Sequence, residues 1–292
     1  MIHKSKKNIL INFLLAIVSL CLIFLAARYY NHYVSAFTDV TIESQVLNES
    51  RKVFIRVPNN FDKAKKYGLI IKTDGNFNLD KWDSSLTSLS QNSGEQFILV
   101  SIPNLFFTFT RNRDLVPPYA RQDVNTEPRP VNEAIPEANG EADKFLQFIE
   151  LELLPYLKSH YKLNNKRILS GFSAGGSFTL YALHTKPKLF NGYFAFSPAA
   201  WYDDMTVVNN IKLFLQAQPH KIDTPTYLYL SVGGAEHPLM LKAFNELKNV
   251  LDTQNNQFLI YKTSINPKAE HNDNPVRSVE QALNGYQKFI NK

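Results

Sequence analysis

Residues 170–176 read Ser170-Gly171-Phe172-Ser173-Ala174-Gly175-Gly176, which places a Gly-x-Ser-x-Gly motif around Ser173. A serine hydroxyl is a weak nucleophile until the backbone presents it and a neighbouring base takes its proton. The flanks suit that task. Arg167–Ser170 predicts a short strand, and Ala174 to about Thr185 predicts a helix that must stop before Pro187. Strand, tight turn and helix together form a nucleophile elbow, in which the central Ser stands above the end of a sheet. The first N–H groups of the following helix have no partner within it and can hold a developing oxyanion. The chemistry to which this spacing points is attack on an acyl carbon.

Such a serine needs a base and a group to orient it. Four histidines follow Ser173 in the chain: His184, His220, His237 and His271. His184 lies in the helix leaving the elbow and faces away from its start. His220 precedes a strand, at the wrong end of a sheet. His237 and His271 both follow strands. His271 lies in the polar loop Lys268-Ala269-Glu270-His271-Asn272-Asp273, after the last strand and before the last helix, and is the expected base. Glu236, in Gly233-Gly234-Ala235-Glu236, is the expected orienting acid. Asp203 and Asp204 stand in reserve one strand earlier. His237 is expected to be a bystander. For the oxyanion, the loop Thr73-Asp74-Gly75-Asn76 offers backbone N–H groups at Gly75 and Asn76, and the N–H of Ala174 offers another.

These groups need a scaffold, and the pattern supplies one. Val40–Leu47 and Lys52–Val57 predict two strands with a turn at 48–50. Leu69–Lys72, Gln96–Ile102, Gly192–Ser197, Pro225–Val232 and Phe258–Thr263 predict further strands. Helical spacing recurs at Phe145–Leu157, Pro238–Leu251 and Val276–Ile290. Strands alternating with helices predict an α/β fold, with a mostly parallel central sheet covered on both faces. Residues 111–140 hold five of the fifteen prolines and read as a long irregular loop.

The chain has 292 residues, of which 44% are hydrophobic and 20% charged, enough for a sizeable core and unlike a disordered chain. The net charge is +6, and Lys4, Lys6 and Lys7 provide half of it, so no nucleic-acid surface is indicated. The single cysteine, Cys21, excludes an intramolecular disulfide and a cysteine metal site. Residues 9–27 form an apolar run of nearly the length that spans a bilayer as a helix. The lysines before it place the N-terminus in the cytoplasm and the remainder outside. The expected organisation is therefore a basic cytoplasmic end at 1–8, a transmembrane signal anchor at 9–27, a linker at 28–38 and a catalytic domain at 39–292. That domain would lie in the periplasm if the source is bacterial. Cleavage at Val34-Ser35-Ala36, giving a secreted domain, is the alternative.

Several pieces, in order over most of residues 40–290, resemble an esterase branch of the α/β-hydrolase superfamily. That branch includes esterase D, feruloyl esterases, mycolyltransferases and the trilactone siderophore esterases. The pieces are Asp74-Gly75-Asn76, Arg111-Asn112-Arg113-Asp114-Leu115-Val116-Pro117, the helix with Pro155-Tyr156, Gly171–Gly176, Phe196-Ser197-Pro198-Ala199-Ala200-Trp201, Gly233-x-x-Glu236 and His271. The Asp-Gly-Asn and Arg-x-x-Asp pieces look most like the siderophore esterases. The resemblance implies an α/β-hydrolase fold and a small-molecule ester substrate, with no metal or organic cofactor, and leaves the oligomeric state open. It implies a serine carboxylic-ester hydrolase working through an acyl-enzyme, with siderophore-type esters as substrate. Arg111 and Arg113 would offer charge to an acidic ligand, and Trp201 would line the substrate site. A general carboxylesterase for acetyl or feruloyl esters, and an acyltransferase using the same residues, are the competing readings.

Overall fold

The computed structural model describes residues 2–29, 36–104, 109–120, 140–217, 225–254 and 258–291. The chain divides into two compact units, Met1–Thr38 and Asp39–Lys292.

The first unit holds helix α1, Ile2–Tyr29. Its side chains are described at residue 8 and over residues 11–26, and its large apolar side chains there, such as Phe13, Leu20 and Ile23, are exposed. Sixteen residues make about 24 Å of helix. Among the described residues no helix is long and apolar enough to cross a membrane. The expected cleavage site falls partly outside the described residues.

The second unit is an eight-stranded sheet. Its strands are β1 (Thr38–Ser44), β2 (Glu49–Arg56), β3 (Tyr67–Lys72), β4 (Phe97–Ser101), β5 (Leu163–Phe172), β6 (Gly192–Phe196), β7 (Thr226–Gly233) and β8 (Leu259–Asn266). They lie in the order β1-β2-β4-β3-β5-β6-β7-β8. β2 pairs antiparallel with β4, and every pair from β4 onward is parallel. β3, β4, β6 and β7 are buried at every residue, as strands covered on both faces must be. At the edge, β8 is largely exposed or half-buried along its length.

Helices α2 (Leu79–Ser93) and α9 (Asp273–Ile290) pack on each other, and α9 also rests on β6, β7 and β8. Helix α6 (Ala174–Thr185) rests on β5 and β6 and packs against α7 (Tyr202–Gln216), which meets α8 (Pro238–Thr253). Between β4 and β5 come α3 (Phe109–Leu115), α4 (Ala142–Phe148), a single π-helical turn at Ile149–Leu153, and α5 (Leu154–His160).

Three helices depart from the sequence expectation. The irregular segment expected from 111 is helical as far as Leu115, and residues 121–139 lie outside the described set. Helix α2 is mostly polar, but Trp82, Leu86 and Leu89 at helical spacing form a narrow buried stripe. Helix α7 opens on three consecutive left-handed residues, Asp203, Asp204 and Met205, which hide its start from any propensity argument.

Candidate active site

Each parallel strand ends at the same edge of the sheet, and the segments that leave β4, β5, β6, β7 and β8 there line one cleft. One of them is the elbow after β5. Ser173 has φ 56° and ψ −119°, a strained conformation for a residue with a side chain. Its N–H donates to the Phe196 carbonyl and its carbonyl accepts from Ala199 N–H, so the end of β6 holds the turn in place. Gly171 is required by the closeness of strand and helix. A Cβ there would lie 1.9 Å from the Gly175 carbonyl oxygen.

The loops after β7 and β8 are stitched to each other. Gly234 N–H donates to Asn266 O, and Ala235 N–H donates to Ala269 O. This brings His271 Nδ1 to 2.7 Å from Glu236 Oε2. The second carboxylate oxygen, Oε1, accepts from Gly233 N–H at 2.6 Å and from the Ser197 hydroxyl at 2.6 Å. Glu236 is thus fully buried at its side chain, while His271 keeps 38% of its side chain open to the cleft. The imidazole also packs on the Phe172 ring, whose centroid is 4.6 Å away, and Phe172 stacks on Phe77. The His271 ring is therefore held by a carboxylate at one nitrogen and by an aromatic face.

Arg111, Ser173, Ala199, Trp201, Glu236, His237, Met240 and His271 line a cleft of about 280 Å³. Ser173, His271 and Glu236 therefore share one cleft. Trp201 also lines it. His237 lines it too, but its ring has a structural task. Nδ1 accepts from Leu239 N–H at 3.3 Å and caps α8. Asp203 and Asp204 lie in the left-handed turn that opens α7. Glu236, and not either of these, holds His271. His184 is half-buried in α6, and desolvation pushes its pKa down to about 4. His220 lies outside the described residues.

The loop after β3 separates the expected oxyanion donors. Thr73 N–H donates to Ser170 O, Asp74 N–H to the Asn104 side chain, Gly75 N–H to Ile102 O, and Phe77 N–H to Asp74 O. Gly75 is therefore corrected as a donor: its N–H is already paired. Its own contribution is the absent side chain, because a Cβ would lie 2.6 Å from the backbone of Ile102. The N–H groups of Asn76 and of Ala174, at the start of α6, have no partner among the described residues.

The two arginines are also corrected. Arg111 forks onto Asp74 through Nε and one terminal nitrogen, at 2.8 and 2.9 Å. Its charge is neutralised inside the protein although it borders the cleft. Arg113 is not in the cleft lining. It binds Glu49 and Asp114, which raise its pKa against the opposing effect of burial. Neither guanidinium is a free anion receptor.

Several residues here carried no sequence signal of their role. Ser197 holds Glu236 and in turn accepts from Asn274 at 2.8 Å. Lys72 is buried under the β3 loop, with Nζ 2.6 Å from Asp74 O and 3.1 Å from Thr73 O. Desolvation lowers its pKa to about 8, against the favourable pull of Asp74. Among the described residues no group of three or more His, Cys, Asp or Glu is placed to hold a metal.

A family model described as "Putative esterase" matches residues 44–275, and the chain belongs to that esterase family. It is 34% identical to a siderophore enterobactin esterase of Emericella nidulans over 139 residues, 46% of this chain and 45% of that one. It is 32% identical to the ferri-bacillibactin esterase BesA of Bacillus subtilis over 131 residues, 44% of each. The chain therefore spans less than half the length of these curated relatives. The fold is shared with the BES protein from Bacillus cereus, at a TM-score of 0.74 and 22% identity, covering 86% of this chain and 95% of that one.

Proposed function

We propose that this member of the esterase family hydrolyses carboxylic esters through an acyl-enzyme on Ser173, and that its substrates are siderophore-type esters. The observation that carries the reading is a single cleft in which the elbow serine lies with a histidine whose far nitrogen is held by a buried carboxylate. His271 Nε2 takes the Ser173 proton as Oγ attacks the ester carbonyl. Glu236 fixes the tautomer in which Nδ1 carries hydrogen and stabilises the imidazolium that forms. The N–H groups of Asn76 and Ala174 receive the oxyanion. His271 then protonates the leaving alcohol, and water, activated by the same ring, releases the acid.

The siderophore part rests on the relatives, which are named for such esters. An apolar and aromatic wall of Phe172, Trp201 and Met240 beside the base is compatible with an aromatic acyl substituent. The test is a product screen with ferric trilactone siderophores, nitrophenyl acetate and feruloyl esters, each with and without added sugar or lipid alcohols. Faster release of hydroxyacid from the trilactone than from the simple esters supports the reading. Preferential transfer to an added alcohol makes the enzyme an acyltransferase and rejects hydrolysis as its activity.

The apolar run at 9–27, preceded by three lysines, further supports an N-terminal membrane anchor with the esterase domain outside the cytoplasm. Protease added to spheroplasts should digest the domain, and alkaline extraction should leave the chain with the membrane fraction. A mature protein beginning near residue 37 would replace the anchor with a cleaved leader.

A further inference from the structure

One backbone N–H of the loop that presents Asn76 is held by a side chain from outside it. Thr73, Gly75 and Phe77 donate to backbone carbonyls, but Asp74 N–H donates to Asn104 Oδ1 at 3.1 Å. Asn104 follows β4 and is 1% exposed. Its Nδ2 donates to Asp114 Oδ2 at 2.9 Å. Asp114 is fully buried and also accepts from Arg51 at 2.8 Å and Arg113 at 2.8 Å. Flanked by two guanidinium groups, it is a carboxylate and can only accept. The Asn104 amide must therefore turn its NH₂ toward Asp114, which leaves its oxygen for Asp74 N–H.

The same helix reaches the loop a second way. Arg111, one turn before Asp114 on α3, forks onto the Asp74 carboxylate. From below, Lys72 Nζ holds the carbonyls of Thr73 and Asp74. Asp74 is thus fixed at its N–H, its carbonyl and its side chain, immediately before the residue pair that carries the Asn76 N–H.

We propose that Asn104 is a positioning residue for the oxyanion hole, oriented by Asp114, and that the Arg111–Asp114 helix acts as the clamp of that loop. The proposal rests on the esterase reading and on Asn76 as an oxyanion donor. It assigns catalytic consequence to a polar group that touches no substrate.

The experiment compares full-length wild type with Asn104→Ala and Asn104→Asp. The alanine removes both hydrogen bonds but leaves Asp114 paired with its two arginines. The aspartate is isosteric but turns an acceptor toward Asp114. Turnover of a nitrophenyl ester is measured together with the dissociation constant of a phenylboronic acid, which forms a tetrahedral adduct with the serine. We expect kcat to fall roughly 10- to 100-fold with KM within about threefold, less than outright removal of an oxyanion donor. Boronate affinity should weaken by a similar factor, while melting temperature and circular dichroism report an intact fold. Folded variants with kcat within twofold of wild type, or with KM alone altered, overturn the proposal. If neither variant folds, amide exchange in the wild type decides. Asp74 N–H should exchange slowly and Asn76 N–H quickly, and the reverse order overturns the proposal. A wild type that Ser173→Ala leaves fully active would instead reject the esterase reading and not this assignment alone.

Discussion

Replacing Glu236 with Gln exchanges one carboxylate oxygen for NH₂, and the structure says which way the amide must turn. Oε1 accepts two donors, Gly233 N–H and the Ser197 hydroxyl, whereas among the described residues Oε2 meets only His271 Nδ1. The Gln carbonyl therefore takes the Oε1 place, and its NH₂ points at Nδ1. Nδ1 must then accept, so the ring carries its hydrogen on Nε2 and cannot receive the Ser173 proton. Turning the amide over restores the tautomer but sets NH₂ against the Gly233 N–H. That leaves a buried donor unsatisfied, at about 1–3 kcal/mol, or roughly 5- to 150-fold in the active population. The flipped form still lacks the charge that stabilises the imidazolium. The two effects together predict a loss in kcat of about 10³- to 10⁴-fold, up to the loss of about 10⁴ known for a triad acid turned into an amide. KM should change little, because Glu236 contacts the ring and not the ester. Stopped-flow release of nitrophenol gives kcat, and thermal melting checks that stability falls by no more than about 3 kcal/mol. A folded Glu236→Gln variant within tenfold of wild-type kcat would refute the tautomer argument and leave a Ser–His pair as the working unit.

His271→Ala should be inactive to within the background of the oxyanion donors, a loss of about 10³-fold or more in kcat. His237→Ala should instead lose about 1 kcal/mol of stability from the cap of α8, with kcat reduced only a few-fold; denaturant titration beside steady-state kinetics separates the two. Gly171→Ala forces a methyl onto the Gly175 carbonyl, so the elbow cannot close, and expression should give unfolded or aggregated protein; a normal melting curve would contradict this. His184 has its pKa lowered to about 4 by burial, so between that value and its ordinary 6.5 the unfolded chain binds the proton that the folded chain refuses. Its contribution is present above pH 6.5 and is lost as pH falls toward 4, amounting to about 2 kcal/mol at pH 5. Urea titrations at pH 5 and 8 should show this difference in wild type and a smaller one in His184→Phe.

Central strands buried on both faces announce themselves as short apolar runs, and all eight expected strands occur within a few residues of their places. The elbow was legible because three small residues around a serine, between strand and helix, have a steric cause. Glu236 and His271 were legible from their positions after successive strands. The hydrogen bonds that pair the N–H groups of the β3 loop were not. Gly75 N–H is taken by the carbonyl of Ile102 and Asp74 N–H by Asn104, partners on another strand's exit that no local pattern links to them. Arg111 and Arg113 looked like charges for a ligand because Asp74 and Glu49, which pair with them, lie far away along the chain, and nothing local shows that Asp114 turns back onto Arg113. Ser197 was visible as part of a motif, but its hold on Glu236 follows only from the way β6 and β7 lie side by side.

The central claim is that Ser173 carries the acyl group during turnover. Acid quenching of the full-length enzyme while it hydrolyses a slow ester, followed by peptide mass spectrometry, tests this directly. The account predicts the acyl mass on the peptide that contains Ser173, its absence from Ser173→Ala, and loss of ester hydrolysis in that variant. An acyl mass on another residue, or undiminished hydrolysis by a folded Ser173→Ala, would contradict it.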